Sequence, residues 1–180
     1  MDAFSVALVG PYPPPYGGVS VHVERLHGRL AALGTRSRVY CQPLPEAGAR
    51  AANVVPSTHK YCWYTWVLEH GWRCGTDIVH FYEGWNWAPA ALVVLLRGKK
   101  VVMAFHNQRV TGEMWREASW LSRRASLRLV RHPRVWWVAA TPAVREQLVE
   151  MGVDAARVTL APAYIPPPPD TAARELPQTI

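Results

Sequence analysis

Cysteine is scarce: Cys41, Cys62 and Cys74 are the only three in 180 residues, odd in number and without the close pairs that a zinc site uses. Reduced, buried thiols are expected, and a disulfide scaffold is set aside. Long apolar runs are missing too. The longest, Trp87 to Leu96, has ten residues including Pro89, well short of the roughly 20 that cross a bilayer. Met1 and Asp2 lead into a strand-like stretch with no basic n-region and no small-residue cleavage site, so no secretory signal is expected. The expected location is cytoplasmic. Two phosphate-binding signatures are absent as well: no Gly-x-Gly-x-x-Gly opens a helix, and no Gly-Lys-Ser/Thr occurs. That argues against nicotinamide dinucleotides and P-loop nucleotide hydrolysis.

Acidic residues are few, 13 against 20 Lys and Arg, and the imbalance is local. Residues 1–90 carry seven basic and six acidic side chains, whereas residues 97–134 carry ten basic groups against Glu113 and Glu117 alone. Such a patch attracts phosphate-bearing ligands, nucleic acid or an anionic membrane surface. No helix-turn-helix, zinc finger or RNA-recognition motif accompanies the charge, so nucleic acid is the least favoured of these. Nine tryptophans are several times ordinary usage, and Trp suits boundaries between apolar and wet surfaces.

Short runs of Val, Ile and aromatic residues alternate with segments of helical period, the pattern of a parallel sheet with crossover helices. The fold class expected is α/β, a Rossmann-like, doubly wound, mostly parallel sheet with helices on both faces. Strands are expected near residues 4–10, 37–41, 77–82, 100–105, 135–139 and 158–161. Helices are expected over 18–33, from a cap at Ser57 or Thr58 to Gly71, over 86–96, over 112–131, and from Thr141 to Met151. One domain spans residues 1–165. Pro166 to Pro169 begin a stiff linker or tail to residue 180, too short for a second domain.

Ligands of open α/β sheets bind at the carboxyl edge of the strands. At the first strand end, GPYPPPYGG places Gly17 and Gly18 at the mouth of a helix. Bare backbone amides and the positive helix end suit a phosphate there; a tight loop-to-helix turn explains the same pair. His106, Asn107 and Arg109 leave another strand into a loop, placed either to bind a ligand or to cap the sheet. Glu83, Trp85, Asn86 and Trp87 follow a third strand. A Trp face stacks on a sugar ring and Glu or Asn hydrogen-bonds hydroxyls, although core packing and capping account for them equally. His80, within a strand, is expected to be structural. On the basic helix, Arg116, Trp120, Arg123, Arg124, Leu127 and Arg131 share one face, with Met114, Ala118, Leu121, Ala125 and Leu129 opposite. That face fits either an anionic bilayer or plain solvent.

Taken in order, GPYPPPYGGVSVHVERL, DIVHFYEG, VVMAFHN, TPAVREQLVEMGV and RVTLAPAYIPP resemble the N-terminal domain of glycosyltransferase family 4 enzymes of GT-B architecture, from about residue 4 to 169. The resemblance implies a retaining transferase of two Rossmann-like domains, the first mainly holding the acceptor and the second most of a nucleotide sugar. It implies that Gly17 and Gly18 face the donor diphosphate and that His106 reaches the transferred sugar as the catalytic residue. From their places past strand ends, and not from a motif match, Glu83, Trp85, Asn86, Asn107 and Arg109 would line the acceptor side. No cofactor and no metal are implied, the nucleotide sugar being a co-substrate. The partners implied are a glycan or lipid-linked acceptor, a donor-binding domain or separate subunit, and an anionic membrane on whose inner face the basic helix would sit. The Arg/Lys pair and Glu motif of the family's second domain lie outside this sequence, so residues 1–180 alone are expected not to turn over. The alternative is a non-catalytic module on the same fold that docks on a membrane or a partner.

Overall fold

The structure is a computed structural model that describes residues 4–44, 53–58, 61–82, 84–106, 109–110 and 112–162. Its strands are β1 (Ser5–Val9), β2 (Arg36–Cys41), β3 (Val54–Pro56), β4 (Ile78–Tyr82), β5 (Lys100–Phe105), β6 (Val135–Ala139) and β7 (Val158–Leu160). They form one sheet in the order β3-β2-β1-β4-β5-β6-β7, with every neighbouring pair parallel. The helices are α1 (Gly18–Ala32), α2 (Trp63–Trp66), α3 (Ala88–Leu96), α4 (Glu113–Glu117), α5 (Trp120–Val130) and α6 (Pro142–Glu150). This is the expected Rossmann-like α/β fold.

Alternation along the strands divides the core. Val6 and Leu8 of β1, Val39 of β2 and Tyr82 of β4 pack with Val19, Val23, Leu26 and Leu30 of α1 on one face. Ala7, Val9, Val79, Phe81, Met103, Phe105 and Trp137 face the other way, against Trp66, Ala91, Val94, Leu129, Val144 and Leu148. Burial of strands on both faces explains their near-continuous apolar runs. β1 and β4 lie side by side although other elements intervene in sequence, and β2 and β5 flank them on opposite sides. The chain therefore reverses direction across the sheet between β1 and β4, and the carboxyl ends of these strands are where open α/β sheets hold ligands.

Most expected elements are present, with four differences. β3 is additional: three residues long, ending in proline and preceded by Asn53 at φ +68°, it carries too little periodic pattern to stand out. The aromatic helix begins at Trp63 with Cys62 as its N-cap, and a π-helical turn, Val67–Gly71, continues it. Ser57 and Thr58 do not cap it; their hydroxyls donate to the Glu69 carboxylate at 3.2 and 2.8 Å. Cys41 and Cys74 are buried and form no disulfide, as expected, but Cys62, at that cap, is only half-buried.

The fourth difference concerns the basic segment. A single helix over 112–131 is expected, yet α4 and α5 are separate because Ala118 takes extended backbone, ψ 135°, and Ser119 starts a new helix. The Ser119 hydroxyl accepts from the Ser122 amide at 3.1 Å, satisfying a first-turn donor that a continuous helix would pair internally. The break rotates the pattern. Ser122 is buried and Leu121, expected inside, is 40% exposed. No described helix is long and apolar enough to cross a membrane. The tail, residues 166–180, lies outside the described residues.

Candidate functional site at the sheet crossover

The loop from β1 to α1 is held from two directions. Gly10 donates to the Tyr40 carbonyl at 3.1 Å, continuing the ladder with β2. Beyond it, the Gln42 carboxamide pairs with the backbone of Tyr12: its oxygen accepts from the Tyr12 amide at 3.1 Å, and its nitrogen donates to the Tyr12 carbonyl and, at 3.2 Å, to that of Pro14. At the far end the Ser20 hydroxyl accepts from the Gly17 amide at 2.8 Å and donates to the Pro15 carbonyl at 2.9 Å. Thus one of the two expected anion-binding amides, that of Gly17, is already engaged.

Gly18 is different. It is exposed, and a Cβ built on it would meet nothing within 4 Å. Neither glycine has positive φ; Gly17 is extended at φ −150°, which any residue adopts. The protein's own packing gives no reason for a bare Cα at Gly18. An open helix N-terminus without a side chain is the arrangement that admits an anion close to the backbone.

One turn on, His22 projects from α1, and four rings from three elements meet. His106 follows the end of β5; its ring lies 4.8 Å from His22 and 5.8 Å from Tyr82, centroid to centroid. Tyr82, at the end of β4, stacks on His80 at 4.3 Å and meets His22 edge-on at 5.8 Å. Tyr82 is held by close contact with Gly10, where a Cβ would fall 2.8 Å from the tyrosine Cβ. Among the described residues, the Tyr82 hydroxyl and His80 Nε2 are buried without a hydrogen-bond partner.

Burial lowers all three histidines. His106 is pushed down to about 4, by desolvation first and then by His22. His80 falls to about 3, by desolvation and then by His22 and His106. His22 is lowered by desolvation and then by Arg25, while burial raises Tyr82. At neutral pH the cluster is therefore uncharged, and its imidazoles act through one N–H and one lone pair each. No group of three or more His, Cys, Asp or Glu among the described residues is arranged to hold a metal ion.

The remaining expected residues separate. Trp85 is corrected: at 0% exposure it is a core residue, not a sugar platform. Its indole donates to the Val110 carbonyl at 2.8 Å, and its ring packs against Phe105, Trp115 and Trp137. Trp87 is also buried, whereas Asn86 between them is exposed in a 3₁₀ turn, Trp85–Trp87. Arg109 is exposed and ion-paired with Glu113 at 2.5 Å. Glu83 and Asn107 lie outside the described residues. Away from the crevice, Trp120 and Leu127 are 69% and 56% exposed on α5, among exposed Arg123, Arg124, Arg128 and Arg131. Arg116 is exposed on the separate α4.

Sequence reasoning passed over Ser20, His22, Gln42 and Tyr82. The one signal for His22 was its spacing of four from Gly18, which puts both on the same side of α1.

A family model, Glycosyltransferase Family 4, matches residues 16–167. No curated protein matches. Among solved structures, the lipopolysaccharide outer core galactosyltransferase WaaB in its apo form is similar with a TM-score of 0.58 and 13% identity, over 94% of this chain and 50% of that one. The Anabaena protein Alr3699/HepE in complex with UDP and glucose is similar at TM-score 0.58 and 12% identity, over 90% and 45%. The UDP-N-acetylglucosamine 2-epimerase from Rickettsia bellii is similar at 0.59 and 13%, over 89% and 45%. The chain spans about half the length of each of these structures.

Proposed function

The chain belongs to glycosyltransferase family 4, and from that premise we propose that it is the acceptor-side half of a retaining enzyme that moves a sugar from a nucleotide sugar to a lipid-linked or polysaccharide acceptor. The observation that carries this reading is the link at the carboxyl end of the sheet from the open helix end at Gly18, through His22 one turn on, to the ring of His106 at 4.8 Å from His22. A diphosphate seated on the first turn of α1 would meet backbone N–H groups and the positive helix end, which stabilise charge developing on the leaving group. His106, neutral at working pH, would exchange a hydrogen bond with a hydroxyl of the transferred sugar rather than offer it a positive charge. The Gly17 amide is already given to Ser20.

A donor-binding half completes this site, either as further chain or as a separate subunit. It supplies most of the leaving-group electrostatics, which usually form the largest part of catalysis. Residues 1–180 alone are accordingly expected to transfer no sugar. Asn86 and Arg109, both exposed past strand ends, and Glu83 and Asn107 are assigned to the acceptor side. The exposed Trp, Leu and Arg side chains of α5 favour a peripheral position on the inner face of an anionic membrane, where a lipid-linked acceptor would be found. Combining the chain with a family donor half and offering UDP-hexoses with membrane lipid extract tests the reading. Transfer with retained anomeric configuration, read by NMR of the product, supports it; liposome attachment with no transfer from any nucleotide sugar would favour the non-catalytic docking module.

A further inference from the structure

We propose that His22 is a positioning residue for His106, holding its imidazole in one orientation at the mouth of the crevice. The consequence for catalysis rests on the function proposed above; the ring geometry does not. His106 directly follows the last residue of β5 and packs in a triangle of rings with Tyr82 and His22. The Tyr82 ring lies nearly parallel to it, 17° off plane at 5.8 Å, and itself stacks on His80 at 19° and 4.3 Å. Tyr82 is fixed, being buried against Gly10. The His22 ring is tilted by 57° at 4.8 Å, closer than the tyrosine, and meets Tyr82 as well at 5.8 Å. Without His22 the imidazole loses the nearer of these two rings and gains room to turn.

Orientation matters because a neutral imidazole presents a donor on one nitrogen and an acceptor on the other. A ring that turns over exchanges the two. Among the described residues, the titratable groups it meets are His22 on α1, itself beside Arg25, and Tyr82 on β4, which stacks on His80. Both neighbouring histidines are themselves held low by burial, so none of the imidazoles charges near neutral pH. His22 also stands one turn from Gly18 on the same side of α1. A ligand that touches the helix end and His106 together would therefore meet an imidazole set against the same helix through His22.

Imidazole proton–nitrogen correlation spectra of the ¹⁵N-labelled chain, with His106 assigned through His106→Gln, test this directly. In the wild-type chain His106 should show a single tautomer and remain neutral to about pH 5. In His22→Ala the tautomers should average and the midpoint should rise, since a lowering neighbour is removed. His22→Phe keeps the aromatic wall without the titration, so it should hold the single tautomer while still raising the midpoint. An unchanged tautomer and midpoint in His22→Ala would overturn the proposal, as would tautomer averaging in His22→Phe as complete as in His22→Ala. With a donor half present, His22→Ala should lower kcat about tenfold with KM little changed, and His22→Phe should stay within about threefold of wild type. Absence of transfer by the wild-type pair refutes the proposed function instead, and the imidazole spectra alone then decide the role of His22.

Discussion

Gln42 and Tyr12 are joined like neighbouring strands: the carboxamide of Gln42 accepts from the Tyr12 amide and donates to the Tyr12 carbonyl, so one side chain extends the β1–β2 ladder into the proline loop. The same nitrogen reaches Pro14. Three backbone groups of the loop before α1 thus depend on a single amide.

Gln42→Ala should therefore leave those groups without their partner and cost about 1–3 kcal/mol of stability. Urea unfolding measures the loss, and hydrogen exchange at Tyr12 should quicken. Gln42→Glu, which keeps the acceptor but not the donor, should fall between wild type and Ala. Unaltered exchange at Tyr12 in Gln42→Ala would contradict the assigned grip.

Gly18 and Gly10 make opposite predictions from the same kind of change. A methyl at Gly18 enters open space, so Gly18→Ala should change stability by no more than about 0.5 kcal/mol while obstructing an anion at the helix end. At Gly10 the new Cβ falls 2.8 Å from the Tyr82 Cβ, and Gly10→Ala should destabilise by about 1–3 kcal/mol. Thermal melts and UDP-sugar transfer with a donor half separate the two. A Gly18→Ala protein that is stable and fully active would remove the reason for a bare Cα there.

The histidine cluster gives a signed pH dependence. The folded values of His80 and His106, about 3 and 4, lie below the ordinary value near 6.5, so in the intervening range the unfolded chain binds protons that the folded chain does not. No penalty exists above about pH 6.5, and stability should fall as pH drops from there toward 4, by at most about 1.4 kcal/mol per pH unit for each histidine. His80→Gln should flatten the slope. Stability that is flat or rises between pH 6.5 and 5, measured by urea melts, would contradict the buried, neutral assignment.

How much of this was legible beforehand depended on distance along the chain. The glycine pair and the period of α1 are local features, and both appear where residue spacing put them. Trp85 illustrates what residue type does not settle: an aromatic just past a strand looks the same whether it faces a ligand or fills the core, and only the packing of Phe105, Trp115 and Trp137 around it decides. The break at Ser119 had a visible cause in a capping serine, outweighed by the helical period on either side of it. His22 was missed because its partners come from β4 and β5, remote in sequence, and a single histidine on an apolar helix carries no sign of them.

The outward face of α5 should show itself on vesicles. Each arginine near an anionic surface contributes about 1 kcal/mol, so Arg123→Gln with Arg124→Gln should weaken binding to phosphatidylserine-containing liposomes roughly 30-fold. Attachment should decline as salt rises, and Trp120→Ala should lower it even at low salt. Equal flotation with neutral and anionic vesicles would rule out the electrostatic attachment.

The most direct measurement is the turnover of His106→Ala with a donor half supplied, beside its thermal midpoint. A lost hydrogen bond to the reacting sugar should reduce kcat about a hundredfold, while the fold, which buries His106 only in part, keeps its melting temperature. Turnover at the wild-type rate in a folded His106→Ala protein would contradict the assignment of this crevice as the place where the sugar is transferred.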